Sequence, residues 1–150
     1  MKKFVFTLQS LFNYKLTVEK TQKAELRRAQ NALSELLAEE QRLIQAYADN
    51  ERSLDRALRE NKNVVAALAE HDAYFRYLRD AMLKLRESIT IAEEVVAECQ
   101  TRLIVTMREI KTYDKLRIEQ YNEYLKDIQL EEEKDIGDLV SFNTVTDESC

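Results

Sequence analysis

Few side chains in this sequence have the types that catalysis or metal binding uses, and their spacing is unfavourable for both. The one histidine, His71, stands beside Asp72. Such a pair works as acid and base only where a pocket holds a substrate against it. Cys99 and Cys150 have neither the paired spacing of metal ligands nor the pattern of a disulfide framework. Acidic runs stand at residues 39–40, 93–94 and 131–133. No histidine at helical spacing completes a metal site with them, so we expect no catalytic residue, no cofactor and no metal.

The composition also argues against nucleotide and nucleic-acid binding. A loop that cradles phosphates needs several glycines, and Gly137 is the only glycine in the chain. Basic residues are interspersed with acidic ones, and the formal net charge is −5. A nucleic-acid-binding surface needs a concentrated basic stripe instead. We therefore expect a protein that is not an enzyme and that does not bind nucleic acid.

The same composition limits the elements that the chain can form. It has no proline and one glycine, and 34% of its residues are charged. Because turns draw on Gly, Pro, Asn and Asp, such a chain changes direction rarely. Helix formers at heptad-like spacing are typical of coiled coils. No apolar segment approaches the roughly 20 residues that span a bilayer. These features predict an all-α fold and one elongated coiled-coil domain over residues 1–150, located in the cytoplasm.

Apolar residues recur at alternating steps of three and four in two long runs, which is the spacing of one helix face. The first run is Leu26, Ala29, Leu33, Leu36, Leu43, Tyr47, Leu54 and Ala57, and the second is Leu78, Met82, Leu85, Ile89, Ala92, Val96, Cys99, Leu103 and Ile110. Leu37, Ile44 and Leu58 widen the first stripe, which indicates contacts beyond a two-stranded seam. The runs predict two long helices in an antiparallel hairpin. The alternative is one continuous helix in a parallel dimer.

The boundaries follow from the few residues that interrupt the pattern. The opening "MKKFVFTLQS" resembles a secretion signal, but its apolar run is short and no small-residue cleavage site follows. We predict that these residues start the first helix. Asp72 is placed to cap the second helix, and Gly137 to end it. The predicted bounds are helix 1 at 4–60, a bend at 61–72, helix 2 at 73–136 and a flexible tail at 137–150.

Two stretches near the ends of the chain carry ordered combinations of residues. The first has aromatics, Leu-Gln-x-Leu, an aromatic-basic pair and a glutamate: Phe4, Phe6, Leu8, Gln9, Leu11, Tyr14, Lys15 and Glu19. The second has spaced lysines, aromatics and an acidic segment: Lys111, Lys115, Leu116, Tyr121, Tyr124, Glu131, Glu132 and Asp135. These stretches resemble the two ends of the flagellar type III export protein FliJ family. "YFRYLRDAMLKLRESI" is similar to the start of that family's second helix, and Gly137 departs from the family, where an acidic residue is more usual.

The resemblance implies a fold and a role. Members of this family form an antiparallel two-helix coiled coil similar to the central stalk, the gamma subunit, of F-type rotary ATPases. They act with the flagellar export ATPase ring and its regulator, promote assembly of the ring, and contact the cytoplasmic domain of the export gate. Some also handle export chaperones. The resemblance thus implies a non-enzymatic rod at the inner face of the cell membrane, at the flagellar base, with membrane contact only through the gate.

Two sets of residues are the predicted contacts within that apparatus. The set predicted to contact the ATPase is Phe4, Phe6, Leu8, Leu11, Lys115, Tyr121 and Tyr124. The set predicted to contact the gate is Tyr74, Phe75, Tyr77 and Leu78. Four large side chains within five residues cover more of a helix than a two-helix seam buries, so some of them should be exposed. Alternatively, these aromatics pack around the turn on Val64, Val65 and Leu68.

The sequence alone leaves two other functions open. In the first, the chain is an export chaperone or escort that holds an apolar client segment on its widened stripe. In the second, it is a plain structural coiled coil that forms a parallel homodimer. Copurification tests the first alternative: a ring ATPase in the complex would support the stalk function, and an export chaperone would support the escort function.

Overall fold

The fold consists of two long α-helices that pack against each other. A computed structural model describes residues 2–60 and 63–148, with side chains to residue 146. Helix α1 spans Gln9–Arg59, 51 residues, and helix α2 spans Val64–Glu148, 85 residues. No strand occurs in the described residues. The all-α helical hairpin predicted from the sequence is confirmed.

The chain divides by its contacts into two compact units, and both helices run through both units. One unit comprises Met1–Lys20 and Ile104–Cys150, and the other comprises Thr21–Leu103. In the first, which we call the terminal unit, Phe4 contacts Tyr121 and Lys15 contacts Glu109. From Phe4 to Lys15 the residue number rises, whereas from Tyr121 to Glu109 the number of the contacted residue falls. The two segments of this unit are therefore antiparallel. The single domain expected from the sequence stays a prediction.

The second unit, which we call the bend unit, contains the connection between the helices. Tyr47 packs on Phe75 with ring centroids 4.7 Å apart. The Asn50 side chain, 8% exposed, donates a hydrogen bond to the carbonyl oxygen of His71 at 3.1 Å. These contacts are again antiparallel and lie within one chain. The alternative of one continuous helix in a parallel dimer is therefore wrong.

The buried residues follow the two stripes that the sequence predicts. Along α2 the steps of three and four are kept by the buried residues Leu78, Ile89, Cys99, Leu103 and Thr106. Thr106, a polar residue between Leu103 and Ile110 of the second stripe, is 5% exposed and therefore also belongs to the seam. The residues that widen the first stripe are Leu37, Ile44 and Leu58, at 42%, 45% and 37% exposed. They lie beside the seam, as their offset by one position predicts.

The start of the chain differs from the predicted helix. Helix α1 begins at Gln9, not near residue 4. Residues 4–7, Phe-Val-Phe-Thr, are aromatic and β-branched and have modest helix propensity. Outside a helix, Phe4 lies against two rings of α2 and Phe6 lies against Phe12. The packing of the two phenylalanines accounts for the irregular start.

The connection between the helices is shorter than the predicted bend. Helix α2 begins at Val64, and its cap is Asn63, whose side-chain oxygen accepts a hydrogen bond from the N–H of Ala66 at 3.5 Å. An asparagine satisfies the free N–H groups of a first turn as well as an aspartate does. Asp72, the predicted cap, lies inside α2 and pairs with Arg76 at 2.9 Å. Residues 61 and 62, in the predicted bend, lie outside the described residues.

The end of the chain is helical where a flexible tail was predicted. Helix α2 continues past Gly137 to Glu148. One glycine in a helix costs only about 1 kcal/mol relative to alanine, so it does not by itself end the helix. The hydroxyl groups of Thr144 and Thr146 donate to the carbonyl oxygens of Val140 and Phe142, four residues earlier. Neither described helix contains an apolar stretch long enough to cross a membrane.

The seam makes a prediction about stability. Leu78 is the largest fully buried side chain, at 1% exposed. Replacing it with alanine removes its packing on both helices, so Leu78→Ala should lower the free energy of unfolding by about 2–5 kcal/mol. The measurement is urea unfolding followed by circular dichroism at 222 nm.

The matched control lies on the exposed side of the same helix. Ile91 is 62% exposed, and Ile91→Ala should change the free energy of unfolding by less than about 0.5 kcal/mol. Equal losses for the two variants would contradict the seam described above.

Candidate partner-binding surfaces

Three aromatic rings of the terminal unit form a group that we call the terminal aromatic cluster: Phe4, Tyr121 and Tyr124. The ring centroids of Phe4 and Tyr121 are 5.2 Å apart in an edge-to-face arrangement, and those of Phe4 and Tyr124 are 5.5 Å apart. The hydroxyl of Tyr124 donates to the carbonyl oxygen of Lys2 at 2.7 Å. These contacts hold the non-helical start of the chain on α2.

A second layer of the terminal unit fixes Phe6 and Phe12. Their rings are 6.5 Å apart, and the side chains are only 4% and 8% exposed. The guanidinium group of Arg117 lies 5.4 Å from the centre of the Phe12 ring, a distance typical of a cation–π contact. Phe6 is therefore buried against Phe12 and offers no surface to a partner.

The first turns of α1 carry exposed apolar side chains of the terminal unit. Leu11 is 39% exposed and Tyr14, three residues later, is 62% exposed. Residues three apart share a helix face, so these two side chains form one patch. Tyr121 of the cluster is also 45% exposed. A partner of this unit would meet these rings and aliphatic groups.

An ion pair joins the two helices of the terminal unit. The ammonium group of Lys15 lies 2.5 Å from a carboxylate oxygen of Glu109. The hydrogen bond to Glu109 raises the pKa of Lys15 above its ordinary value of 10.5. The Lys15 side chain is only 24% exposed, and its charge has a partner on the other helix.

The four residues predicted to contact the gate divide between the seam and the surface. Tyr74 and Tyr77 stack with ring centroids 6.2 Å apart and are 44% and 65% exposed. Phe75 is half-buried against Tyr47, and Leu78 is buried in the seam. The stacked pair Tyr74 and Tyr77 is thus the part of this set that a partner can reach.

Beside these tyrosines the bend unit carries a shallow groove, which we call the arginine groove. It has two adjoining parts of about 210 and 270 Å³ that share Arg79 and Met82. Its lining residues are Ile44 and Tyr47 of α1 and Arg79, Met82, Leu83 and Arg86 of α2. The floor is apolar and the two arginines stand at its rim. Sequence reasoning noted Ile44 in the widened stripe but did not find the groove.

His71 lies inside helix α2 and has a structural role. Its Nδ1 is 2.7 Å from the carbonyl oxygen of Ala67, and its Nε2 is 3.3 Å from the hydroxyl oxygen of Ser53 on α1. A carbonyl oxygen only accepts, so Nδ1 carries the proton in this contact. In the part of the chain that the structure describes, no group of three or more histidine, cysteine or acidic residues is placed to bind a metal.

The end of α2 forms a further exposed surface, residues 131–146, which we call the overhang. All of its side chains are exposed, including Leu139 at 61% and Phe142 at 67%. Most of this segment lies within residues 137–150, for which the sequence predicts a flexible tail. A signal was present, because Leu139 and Phe142 extend the steps of three and four that lead from Ile128.

The residues predicted to contact the ATPase all lie in the terminal unit. Phe4, Tyr121 and Tyr124 are in mutual contact, while Lys115 is exposed and takes no part in the aromatic contacts. Leu8 is half-buried. The structure thus brings together the start of the chain and the late part of α2, as the hairpin predicts.

Comparison with known protein families gives a match over most of the chain. The family model described as "Flagellar FliJ protein" matches residues 4–146. Comparison with the curated proteins found no match, and comparison with the solved structures found none either.

The ion pair of the terminal unit makes a prediction about pH. Because the folded-state pKa of Lys15 is raised, its contribution to stability is complete below pH 10.5 and is lost as the pH rises through the raised value. Lys15→Met keeps the aliphatic stem and removes the charge. The difference in free energy of unfolding between wild type and this variant should therefore be constant from about pH 7 to 9 and shrink above about pH 10.5.

Urea unfolding at a series of pH values measures this difference. Lys84→Met is the control, since Lys84 is exposed and forms no ion pair among the described residues. Its difference from wild type should not change with pH. A Lys15→Met difference that is equally independent of pH would contradict a stabilising ion pair.

Proposed function

The chain belongs to the flagellar FliJ protein family, a component of the flagellar export apparatus, and on that premise we propose that it is a non-enzymatic stalk of the export ATPase. In this role it promotes assembly of the ATPase ring and couples the ring to the cytoplasmic domain of the export gate. It reaches the membrane at the flagellar base only through the gate.

The observation that carries the proposal is the exposed apolar patch of the terminal unit. A paired helix surface that serves only as a spacer is expected to be polar outside its seam. Here Leu11 and Tyr14 stand exposed on the first turns of α1, in the same unit as the aromatic cluster, and exposed apolar patches of this kind are typical of interfaces. The terminal unit also contains all seven residues predicted from the sequence to contact the ATPase, although Phe6 is buried there. We propose that this patch, with Tyr121, binds the ATPase ring.

The stacked pair Tyr74 and Tyr77 supports a second contact, with the export gate. Stacking holds both rings in fixed positions, so little conformational freedom is lost when they bind. Tyrosine is among the residue types that dominate binding energy at interfaces. Tyr77 is the more exposed of the two rings and would be the anchor, and Tyr74 would support it by stacking.

An escort function for export chaperones remains a second proposal. The half-exposed residues of the widened stripe, Leu37, Ile44 and Leu58, favour it because they supply apolar surface beside the seam. In that case the chain would copurify with a filament or hook-cap chaperone instead of the ring ATPase.

The ATPase contact makes a prediction about activity. Leu11→Asp combined with Tyr14→Asp places two charges on the proposed binding patch, where burial on binding would leave them unpaired. The double variant should lose most of its stimulation of the export ATPase, at least about tenfold, and keep its helix content. Stimulation is measured as phosphate release by the ATPase, and helix content by circular dichroism.

The matched control is Leu37→Asp, an equally exposed leucine on the same helix but in the bend unit, 42% exposed against 39% for Leu11. It should stimulate the ATPase as wild type does. Normal stimulation by a folded Leu11→Asp/Tyr14→Asp variant would rule out this patch as the contact.

The gate contact makes a separate prediction about binding. Tyr74→Ala combined with Tyr77→Ala removes two exposed rings, and truncation of an interface aromatic costs about 2 kcal/mol or more. Affinity for the cytoplasmic domain of the gate should fall at least about tenfold, while binding to the ATPase is unchanged. Val65→Ala, at an exposed position of the same helix, is the control and should bind normally. If the tyrosine variant binds the gate normally and only its melting temperature falls, the rings serve packing alone.

A further inference from the structure

Two arginines of the bend unit have no acidic neighbour, unlike several others in the chain. In the described residues, a number of arginines pair with an acidic residue three or four positions earlier on the same helix: Arg42, Arg52, Arg59, Arg76 and Arg117. Arg79 and Arg86 have no acidic residue three or four positions away on either side. Neither forms an ion pair within the described part of the chain. Two guanidinium charges of the arginine groove are therefore available to a partner.

The two arginines and the apolar residues between them lie on one face of α2. Arg79, Met82, Leu83 and Arg86 follow steps of three, one and three, which places them within about 100° of the helix circumference. The arginines are seven residues apart, or about 10.5 Å along the helix. The Nε of Arg79 donates to the carbonyl oxygen of Phe75 at 3.4 Å, and Leu83 is 60% exposed. This face thus has an apolar centre between two positive ends.

The other wall of the groove also continues over two turns. Ile44 and Tyr47 of α1 line the groove, and Leu37 lies seven residues before Ile44, on the same side of α1. Because the helices of this unit are antiparallel, this step back along α1 runs in the same direction as the step from Arg79 to Arg86. A stripe that exceeds a two-helix seam is typical of a helix with a further partner.

We propose that the arginine groove binds an acidic amphipathic helix of a partner protein. In such a helix two acidic residues stand seven positions apart, and two apolar residues occupy the third and fourth positions after the first of them. The carboxylates then meet the two guanidinium groups in charge-assisted hydrogen bonds, and the apolar pair between them lies on Met82 and Leu83. This is helix-in-groove recognition, with apolar anchors for affinity and charge pairs for selectivity.

The occupant belongs to another protein because no segment of this chain has the required pattern. Its pairs of acidic residues seven positions apart are Asp80 and Glu87, Glu87 and Glu94, and, in the overhang, Glu131 and Asp138. The inner positions of these pairs contain, in the same order, Lys84, Thr90, and Lys134 with Asp135. None of the pairs therefore encloses two apolar residues.

The charge of the chain favours a helix over a nucleic acid or an anionic membrane as the occupant. The formal net charge is −5, and the groove supplies two arginines around an apolar floor. Nucleic acids and anionic lipid surfaces are bound by clusters of many basic residues. Two charges at a two-turn spacing match two carboxylates on one helix face.

The proposal goes beyond the ATPase and gate contacts and uses other residues. Every residue that lines the groove belongs to the bend unit, and neither Tyr74 nor Tyr77 is among them. Leu37 and Ile44 recur in the escort proposal, and no variant below changes either. Copurification tests the escort function and peptide binding tests the groove, so the two proposals can fail separately.

The probe is a capped, alanine-rich peptide helix that contains Glu-Ala-Ala-Leu-Leu-Ala-Ala-Glu, and a second peptide has lysine in place of both glutamates. Binding to the full chain is measured by isothermal titration calorimetry at low ionic strength. The glutamate peptide should bind saturably, one to one, and at least about tenfold more tightly than the lysine peptide. Salt should weaken this binding, since the Debye length falls to about 3 Å at 1 M. No saturable binding at about 1 mM glutamate peptide, or equal binding of the two peptides, would overturn the proposal.

Two variants test the ends and the centre of the groove separately. Arg79→Glu/Arg86→Glu should bind the glutamate peptide at least about tenfold more weakly and should prefer the lysine peptide, because the charge pairs are then reversed. Leu83→Asp should also weaken the glutamate peptide at least about tenfold, because it removes an apolar anchor and adds a like charge. A charge-reversed variant that still prefers the glutamate peptide would contradict the charge pairing.

Each variant has a matched control. Arg56→Glu/Arg108→Glu gives the same change in net charge at exposed arginines outside the groove. Ile91→Asp changes a residue of the same helix that is 62% exposed, against 60% for Leu83. Both controls should bind the glutamate peptide as the wild type does, and circular dichroism checks that all variants are folded. Loss of binding in either control would show that the effect does not depend on the groove and would overturn the proposal.

Two other occupants are excluded or revealed by parallel measurements. Vesicles of phosphatidylglycerol and phosphatidylcholine test an anionic membrane, and sedimentation equilibrium tests a second copy of the chain. Wild type should leave the vesicles unbound and keep the 17.7 kDa of one chain. Vesicle binding or a higher mass that disappears in Arg79→Glu/Arg86→Glu would assign the groove to a membrane or to a second copy, and would overturn the proposal.

Discussion

The pairing of two narrow apolar stripes is the interaction on which every other feature of this chain depends. A helix with a single partner buries only one side, and the buried hydrophobic residues are correspondingly few, six in the described part of the chain. Everything outside the stripes faces water or a partner. A tyrosine or an arginine just beside the seam is therefore exposed and available to a partner, so a residue that departs from the apolar stripe has a large effect on function.

The same constraint explains how the two units differ in what they expose. In the terminal unit a non-helical segment folds against α2, so aromatic rings from two segments of the chain meet there, and Leu11 and Tyr14 are exposed on the first turns of α1. In the bend unit both partners are regular helices, and the exposed features are a stacked tyrosine pair and a groove between side chains. Family membership supplies the setting, flagellar export, in which such contacts operate.

Much of the fold was predictable because its cause is periodic. The steps of three and four fixed the seam along both helices, including the buried Cys99, and the scarcity of glycine and proline limited the chain to one reversal. The ends of the helices were less predictable, because they depend on small energy differences. Asn63 and Asp72 can both cap a helix. With Asn63 as the cap, the connection between the helices is shorter and a longer part of α2 packs against α1. Gly137 was taken for the end of the helix, although one glycine destabilises a helix by less than the hydrogen bonds of the turns around it stabilise it.

The surfaces were the least predictable part of the molecule. The groove depends on which rotamers Arg79 and Met82 adopt next to Tyr47, and the order of residue types in the sequence does not determine those rotamers.

The polar contacts between Asn50, Ser53 and His71 determine how the helices may slide past one another. A uniform apolar stripe would pair almost equally well after a displacement of one heptad along the seam. Here such a slide would bring Asn50 beside Leu78 or Val64 and carry His71 away from Ser53. The amide of Asn50 would then lose its partner, at a cost of about 1–3 kcal/mol, and His71 would lose its contact with Ser53 while it keeps the hydrogen bond to Ala67. Two helices that lock at one offset transmit an axial push or pull from one helix to the other, whereas a freely slipping pair would dissipate it.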